Sequence, residues 1–208
     1  LLETIVGGRV IPMFTFNAVR GVKQWRNVKL DWAAAIATGI ALLLWALGAG
    51  AWAGVVSLVA AALQAVRLGG WNPWATRSQP ILWVLQLAYL WIPLGLALVA
   101  LTQFGVLPRS AGIHALAIGA TGGLIIGMIT RTALGHTGRM LTAGRIETAA
   151  YALVLLAALV RVLTVAFIPA AQLGGVHAAA TLWSIAFLLY LWRYAPYLWY
   201  ARVDGKEG

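Results

Sequence analysis

The chain has 208 residues, of which 62% are hydrophobic and only 10% are charged. Because an average soluble domain has roughly 45–50% apolar and about 25% charged residues, most of this surface must face lipid rather than water. The sequence contains no cysteine, which excludes disulfides, thiolate-ligated iron–sulfur clusters and cysteine nucleophiles from these residues. A bound metal would need histidine, methionine, carboxylate or carbonyl ligands.

Six segments are apolar and long enough to cross a bilayer as helices, which takes about 20 residues. Residues 1–16 are typical of the end of a seventh helix. The predicted spans lie at about 31–48, 51–69, 80–104, 111–131, 146–168 and 176–199. No segment has the alternating pattern of barrel strands. The sequence therefore predicts an all-α fold, a polytopic transmembrane helical bundle that forms a single domain over 1–208 with a cytoplasmic tail at 200–208.

The basic residues predict the orientation of the bundle. Twelve of the fifteen lysines and arginines fall on one side of the predicted spans. They are Arg20, Lys23, Arg26, Lys29, Arg67, Arg77, Arg131, Arg139, Arg145, Arg193, Arg202 and Lys206. The opposite loops hold only Arg109, while Arg9 and Arg161 lie within helices. By the positive-inside rule the basic side and the carboxyl terminus are cytoplasmic. The net charge of +10 is then explained by topology and anionic lipid, and no nucleic-acid partner is expected.

Aromatic residues near the ends of the spans are typical of interfacial anchors. This interpretation covers Trp52, Trp71, Trp74, Trp192, Tyr194, Tyr197, Trp199 and Tyr200. The first three spans, apart from Pro93, offer almost no polar chemistry. They are expected to act as scaffold.

The three histidines differ in their expected depth. His114 and His177 each lie in the first turn of a span, and the two spans run in the same direction, so both histidines belong near the outer face. His136 lies beyond the inner end of the 111–131 span, roughly 33 Å from His114 along a straight helix. His114 and His177 are therefore the only pair that can share one centre. The alternative is that each histidine only forms hydrogen bonds near an interface.

Arg161 is expected in the outer half of the membrane, near the depth of His114 and His177. A buried arginine needs an anionic partner, but four of the five acidic residues belong near the inner face and only Glu3 does not. The counter-ion can then be a ligand. The alternatives are that Arg161 extends to the outer surface, bonds helix-end carbonyls or pairs with residues outside this chain.

Two further features allow two interpretations each. Gly119 and Gly123 belong to a ladder of small residues that permits either close helix packing or the approach of a flat ligand. The inner loop carries Arg131, His136 and Arg139, which form either an anion site or an ordinary basic loop with an internal Arg–Glu pair.

Three stretches resemble the NnrS family of bacterial membrane proteins linked to haem, copper and nitric oxide. The first stretch is Gly112 to Arg145, the second is Val6 to Asn17 (VGGRVIPMFTFN) and the third is LWRYAP at Leu191 to Pro196. Family members are about twice as long, with further histidines in their amino-terminal halves. The resemblance therefore implies that this chain is a carboxyl-terminal half that packs against a missing amino-terminal half or a partner subunit.

The resemblance implies a haem-binding protein of the bacterial inner membrane that responds to or handles nitric oxide, in nitrosative stress or denitrification. A b-type haem would take His114 and His177 as axial ligands and place its propionates near Arg161, with electron transfer as a possible activity. In a variant of this hypothesis one histidine binds copper or a second haem. The alternative function is a small-molecule transporter or an assembly subunit. No hydrolase or transferase constellation is visible, so enzymatic activity stays open.

Overall fold

The computed structural model describes residues 1–205, and in this range the chain is helical with no β-strand. The helices are α1 (Leu2–Ala18), α2 (Val28–Ala46), α3 (Ala51–Gly70), α4 (Pro80–Gln103), α5 (Arg109–His136), α6 (Arg145–Phe167) and α7 (Gln172–Trp199). Short 3-10 turns at Pro73–Thr76 and Pro169–Ala171 precede α4 and α7. Helices α2 to α7 have the length and apolar composition of membrane spans. The predicted helical bundle is confirmed.

Local sequence signals fix where the helices begin. The Asn27 side chain accepts hydrogen bonds from the backbone N–H groups of Lys29 and Leu30 and so caps α2. Pro80 occupies the first turn of α4, where its missing N–H group costs nothing. The Glu147 carboxylate accepts a hydrogen bond from the backbone N–H of Gly144 at 2.9 Å and closes the start of α6.

Helix α4 is the central element of the bundle. It packs against α1, α3, α5 and α6, while α2 packs on α3 and α7 packs on α6. Glycines bring α4 and α5 close together, because a Cβ atom at Gly112 would lie 2.9 Å from the backbone nitrogen of Val99. This close approach is typical of membrane helices with small residues at their interfaces.

The loops at one end of the bundle contact one another. Gln24, before α2, donates a hydrogen bond to the carbonyl of Trp71 at 3.2 Å, and Gln79, before α4, donates one to the carbonyl of Ala18. The α1–α2, α3–α4 and α5–α6 loops and the segment after α7 all lie at this end. Because the predicted basic set belongs to these loops and the adjoining helix turns, we call it the basic end. Lys206, which belongs to the predicted basic set, lies outside the described residues.

Two of the predicted interfacial aromatics are buried instead. Trp71 is 1% exposed, and its ring packs edge-on against Tyr89 with centroids 4.6 Å apart. Tyr194 is also 1% exposed, and its hydroxyl donates a hydrogen bond to Glu147. For these two residues the prediction of an interfacial anchor was wrong, because each ring has a specific partner inside the bundle. Trp52 and Trp74 are exposed, as the interpretation requires.

Candidate functional site

A buried arginine lies near the basic end, in the last turn of α3. The side chain of Arg67 is 5% exposed, and its Nε atom donates to the Asp31 carboxylate of α2 at 2.5 Å. Its Nη1 atom donates to the carbonyl of Thr4 in α1 at 2.7 Å and to the hydroxyl of Tyr89 in α4 at 3.0 Å. One guanidinium group thus links four helices.

The hydrogen bonds continue from Tyr89 into the middle of the bundle. The Tyr89 hydroxyl donates to Gln64 Oε1 at 2.6 Å, and Gln64 Nε2 donates to Thr38 Oγ1 at 2.9 Å. Gln64 and Thr38 also both donate to the carbonyl of Ala34. All these side chains are buried. We call Asp31, Thr38, Gln64, Arg67 and Tyr89 the polar network.

Two glycines of α1 make room for this network. The Arg67 guanidinium occupies the space that a side chain at Gly8 would fill, and a Cβ atom at Gly7 would lie 3.2 Å from the Tyr89 ring. The neighbouring Arg9 is exposed. Gly7 and Gly8, which belong to the GGR segment of the VGGRVIPMFTFN stretch, therefore allow α1 to pack closely against Tyr89 and Arg67.

The polar network corrects the expectation that the first three spans are scaffold without polar chemistry. Arg67 belongs to the basic set predicted on one side of the spans, but its long side chain extends into the bundle and reaches Asp31 at the start of α2. A signal was present in the sequence, because Gln64 and Arg67 are three residues apart and therefore share one face of a helix.

His114 is half-buried in the first part of α5. Its Nδ1 atom lies 2.6 Å from the carbonyl oxygen of Ser110. Since a carbonyl only accepts, this contact puts the proton on Nδ1 and leaves the Nε2 lone pair available to a ligand or metal. A π-helical stretch, Ala115–Gly122, begins at the next residue, and such wide turns are frequent at functional sites.

Arg161 lies on α6, which packs against the first turns of α5. The Nη1 atom is buried and has no hydrogen-bond partner within residues 1–205. The structure therefore places His114 and Arg161 at the same end of the bundle on neighbouring helices, and the Nη1 atom of Arg161 lacks a hydrogen-bond partner among the described residues.

His177 lies in the second turn of α7 and is exposed. Two residues before it, Gly175 packs directly against the Thr164 side chain of α6. Positions two apart differ by about 200° around a helix, so His177 faces away from α6. No group of three or more histidine or acidic side chains in the described chain could hold a metal ion. Shared ligation by His114 and His177 stays a prediction.

The glycine ladder of α5 is filled by neighbouring side chains. Side chains at Gly119 and Gly123 would collide with the Trp91 indole and with Ala88 of α4, and one at Gly122 would collide with Trp183 of α7. Of the two interpretations, helix packing accounts for this face without a flat ligand.

The predicted inner loop begins later than expected, because Arg131 and His136 lie in α5 and only Arg139 lies in the α5–α6 loop. The Arg131 guanidinium lies 3.8 Å from the centroid of the Phe14 ring, and that of Arg139 lies 3.8 Å from Tyr197. His136 is exposed. These contacts are cation–π interactions, and they give no sign of a shared anion site.

Glu147 was expected to pair with an arginine of the inner loop. It pairs instead with Arg193 of α7. Its carboxylate accepts hydrogen bonds from Arg193 Nε at 3.2 Å and from the Tyr194 hydroxyl at 3.1 Å, both on α7. The pair therefore joins α6 to α7 and is not internal to the loop.

The six long apolar helices of the described residues are those of a multi-pass helical membrane protein. The family profile described as NnrS protein matches residues 1–202. The chain belongs to the NnrS family. No curated protein and no solved structure matches it.

Proposed function

We propose that the chain is a haem-binding protein of the bacterial cytoplasmic membrane that takes part in the response to nitric oxide. Family membership supports a role connected with nitric oxide. Haem iron, when bound, would supply a site for the gas and for one-electron exchange. The chain would hold the cofactor in apolar surroundings, with its basic end in the cytoplasm.

Two observations support this proposal, the orientation of the His114 ring and the unpartnered Nη1 atom of Arg161 at the same end of the bundle. The hydrogen bond from Nδ1 to Ser110 orients the ring and leaves Nε2 free, which is the arrangement that a ligating histidine needs. The buried and unpaired Nη1 of Arg161 nearby suits a propionate carboxylate. His114 would hold the haem iron through Nε2, and Arg161 would hold a propionate.

His177 has a different place in the proposal. Because it is exposed and faces away from α6, we favour the variant in which His177 binds copper or a second haem together with residues outside this chain. Glycines Gly119 and Gly123 are left out of the cofactor site, since their face is occupied.

The visible spectrum of purified protein tests the proposal. We expect a Soret band that is lost or shifted in His114→Ala, and weaker haem retention in Arg161→Ala. His136→Ala is the matched control, because this exposed histidine at the basic end should leave the spectrum unchanged. A His177→Ala spectrum like the wild type would support separate centres, and an altered one would restore shared ligation. An unchanged spectrum in His114→Ala would contradict the proposed ligand.

A second candidate function is transport of a small molecule. A cavity of about 450 Å³ lies beside the π-helical stretch, and its lining includes Glu3, Thr4, Thr38, Trp45 and Thr121 among apolar residues. The indole N–H of Trp45 is buried and has no hydrogen-bond partner among the described residues. Polar groups beside an irregular helix are a feature of transporter sites. Protein that shows no haem after purification from haem-sufficient cells would favour this alternative.

A further inference from the structure

A pocket of about 200 Å³ opens at the basic end between α1, α2 and the loop that joins them. Three arginines line it, Arg9, Arg26 and Arg67, with Asp31 as the single acid. Ile5 and Trp32 form part of its apolar wall. This pocket is distinct from the His114 site, which lies at the opposite end of the bundle.

The hydrogen bonds of Arg67 leave one of its nitrogens unused. Nε is bound to Asp31, and Nη1 is bound to Thr4 and Tyr89. Nη2 forms no hydrogen bond with any described residue. Arg9 and Arg26 are exposed and likewise have no ion pair within residues 1–205. The pocket thus presents three guanidinium groups to one carboxylate.

The other acidic residues of the described chain do not supply the missing negative charge. Glu147 is paired with Arg193, and Asp204 is paired with Arg202. Glu3 lines two other cavities. An excess of positive charge in a partly enclosed pocket favours an anionic ligand.

We propose that this pocket binds a phosphate group. Planar guanidinium groups donate paired hydrogen bonds to phosphate oxygens and are the preferred partners of this group. The phosphate comes either from the headgroup of an anionic lipid, whose chains would lie along exposed Ile5 and Trp32, or from free phosphate in solution. Both sources present the same phosphate oxygens to the pocket. The ion pair with Asp31 holds the guanidinium of Arg67, the most buried of the three arginines, in place for phosphate from either source.

Thermal unfolding of delipidated protein in neutral detergent tests this proposal, because a ligand that binds the folded state raises the Tm. The probes are phosphatidylglycerol, phosphatidylcholine and inorganic phosphate, with chloride at matched ionic strength. The test variant is R9A/R26A, and the control is R20A/K29A, which removes two charges from the same end without touching the pocket. R9K/R26K keeps the charge but removes the guanidinium fork.

A Tm increase with phosphatidylglycerol alone assigns the pocket to lipid, and an increase with inorganic phosphate assigns it to the free anion. In either case R9A/R26A should bind about tenfold more weakly or worse, R9K/R26K should bind with intermediate affinity, and R20A/K29A should match the wild type. The proposal is overturned if neither probe raises the Tm above its phosphatidylcholine or chloride control. It is also overturned if R9A/R26A and R20A/K29A respond equally. None of these readouts depends on haem.

Discussion

The guanidinium group of Arg67 lies against the backbone of Gly8, in the space where any larger residue would place its side chain. This contact joins the last turn of α3 to the middle of α1. It also explains why a glycine is needed at this point of the GGR segment, since the buried cation cannot retreat without losing Asp31, Thr4 and Tyr89 as partners.

Gly8→Ala should therefore destabilise the protein. The new methyl group would collide with the guanidinium and displace it from a buried ion pair, at an expected cost of about 2–4 kcal/mol. Unfolding in mixed detergent–SDS micelles measures this cost. Gly39→Ala is the control, because its Cβ atom would meet only the Leu1 side chain at 3.7 Å and should be neutral or slightly stabilising. Equal behaviour of the two variants would contradict the described contact.

Removing a bonded hydroxyl of the polar network and an unbonded hydroxyl outside it, in α3, should affect stability differently. Tyr89→Phe removes a donor to Gln64 and an acceptor for Arg67, so unfolding should become easier by about 1–3 kcal/mol. Ser57→Ala removes a buried hydroxyl that has no hydrogen-bond partner within residues 1–205, and should leave stability unchanged or raise it. The same unfolding assay compares them. A loss of stability in Ser57→Ala as large as that in Tyr89→Phe would show that the hydrogen bonds of Tyr89 are not the cause.

The helices could be predicted from the sequence because the bilayer imposes a length and an apolar composition on every span. The predicted range 80–104 corresponds to Pro80–Gln103, and 146–168 corresponds to Arg145–Phe167. The start of α7 was placed four residues late, at 176 instead of Gln172, because Gly174 and Gly175 were assigned to the preceding loop.

Candidate site residues could be predicted from the sequence only where a single ionisable residue interrupts an apolar span. Arg161 and His114 are ionisable residues inside apolar spans, and each was singled out. The polar network was missed because Asp31, Gln64 and Arg67 lie on two helices, and their meeting depends on how those helices pack. Trp71 and Tyr194 were assigned to the surface for the same reason, since an aromatic near a helix end has the same sequence context whether it faces lipid or a buried partner.

Glu147 should be critical for holding α6 to α7. It is 5% exposed and accepts hydrogen bonds from Gly144, Arg193 and Tyr194. Glu147→Ala would leave the buried Tyr194 hydroxyl without its acceptor and remove the ion-pair partner of the partly exposed Arg193, with an expected cost of about 1–3 kcal/mol. Glu147→Gln can still accept through its carbonyl oxygen and should cost less. Unfolding in SDS gives both values, and a cost for Glu147→Gln equal to that of Glu147→Ala would show that the charge, not the geometry, dominates.

The orientation of the bundle can be tested with single cysteines, because the sequence contains none. Met140, in the α5–α6 loop at the basic end, is 80% exposed, and Val106, in the α4–α5 loop at the opposite end, is 65% exposed. If the basic end is cytoplasmic, as the positive-inside rule predicts, Val106→Cys will react with a membrane-impermeant maleimide in intact spheroplasts. Met140→Cys will react only after the membrane is permeabilised. Both side chains are exposed in loops between helices, so each variant should label once the membrane is permeabilised, and that reaction is the control for access. The reverse labelling pattern would place the phosphate pocket outside the cell and the His114 site towards the cytoplasm.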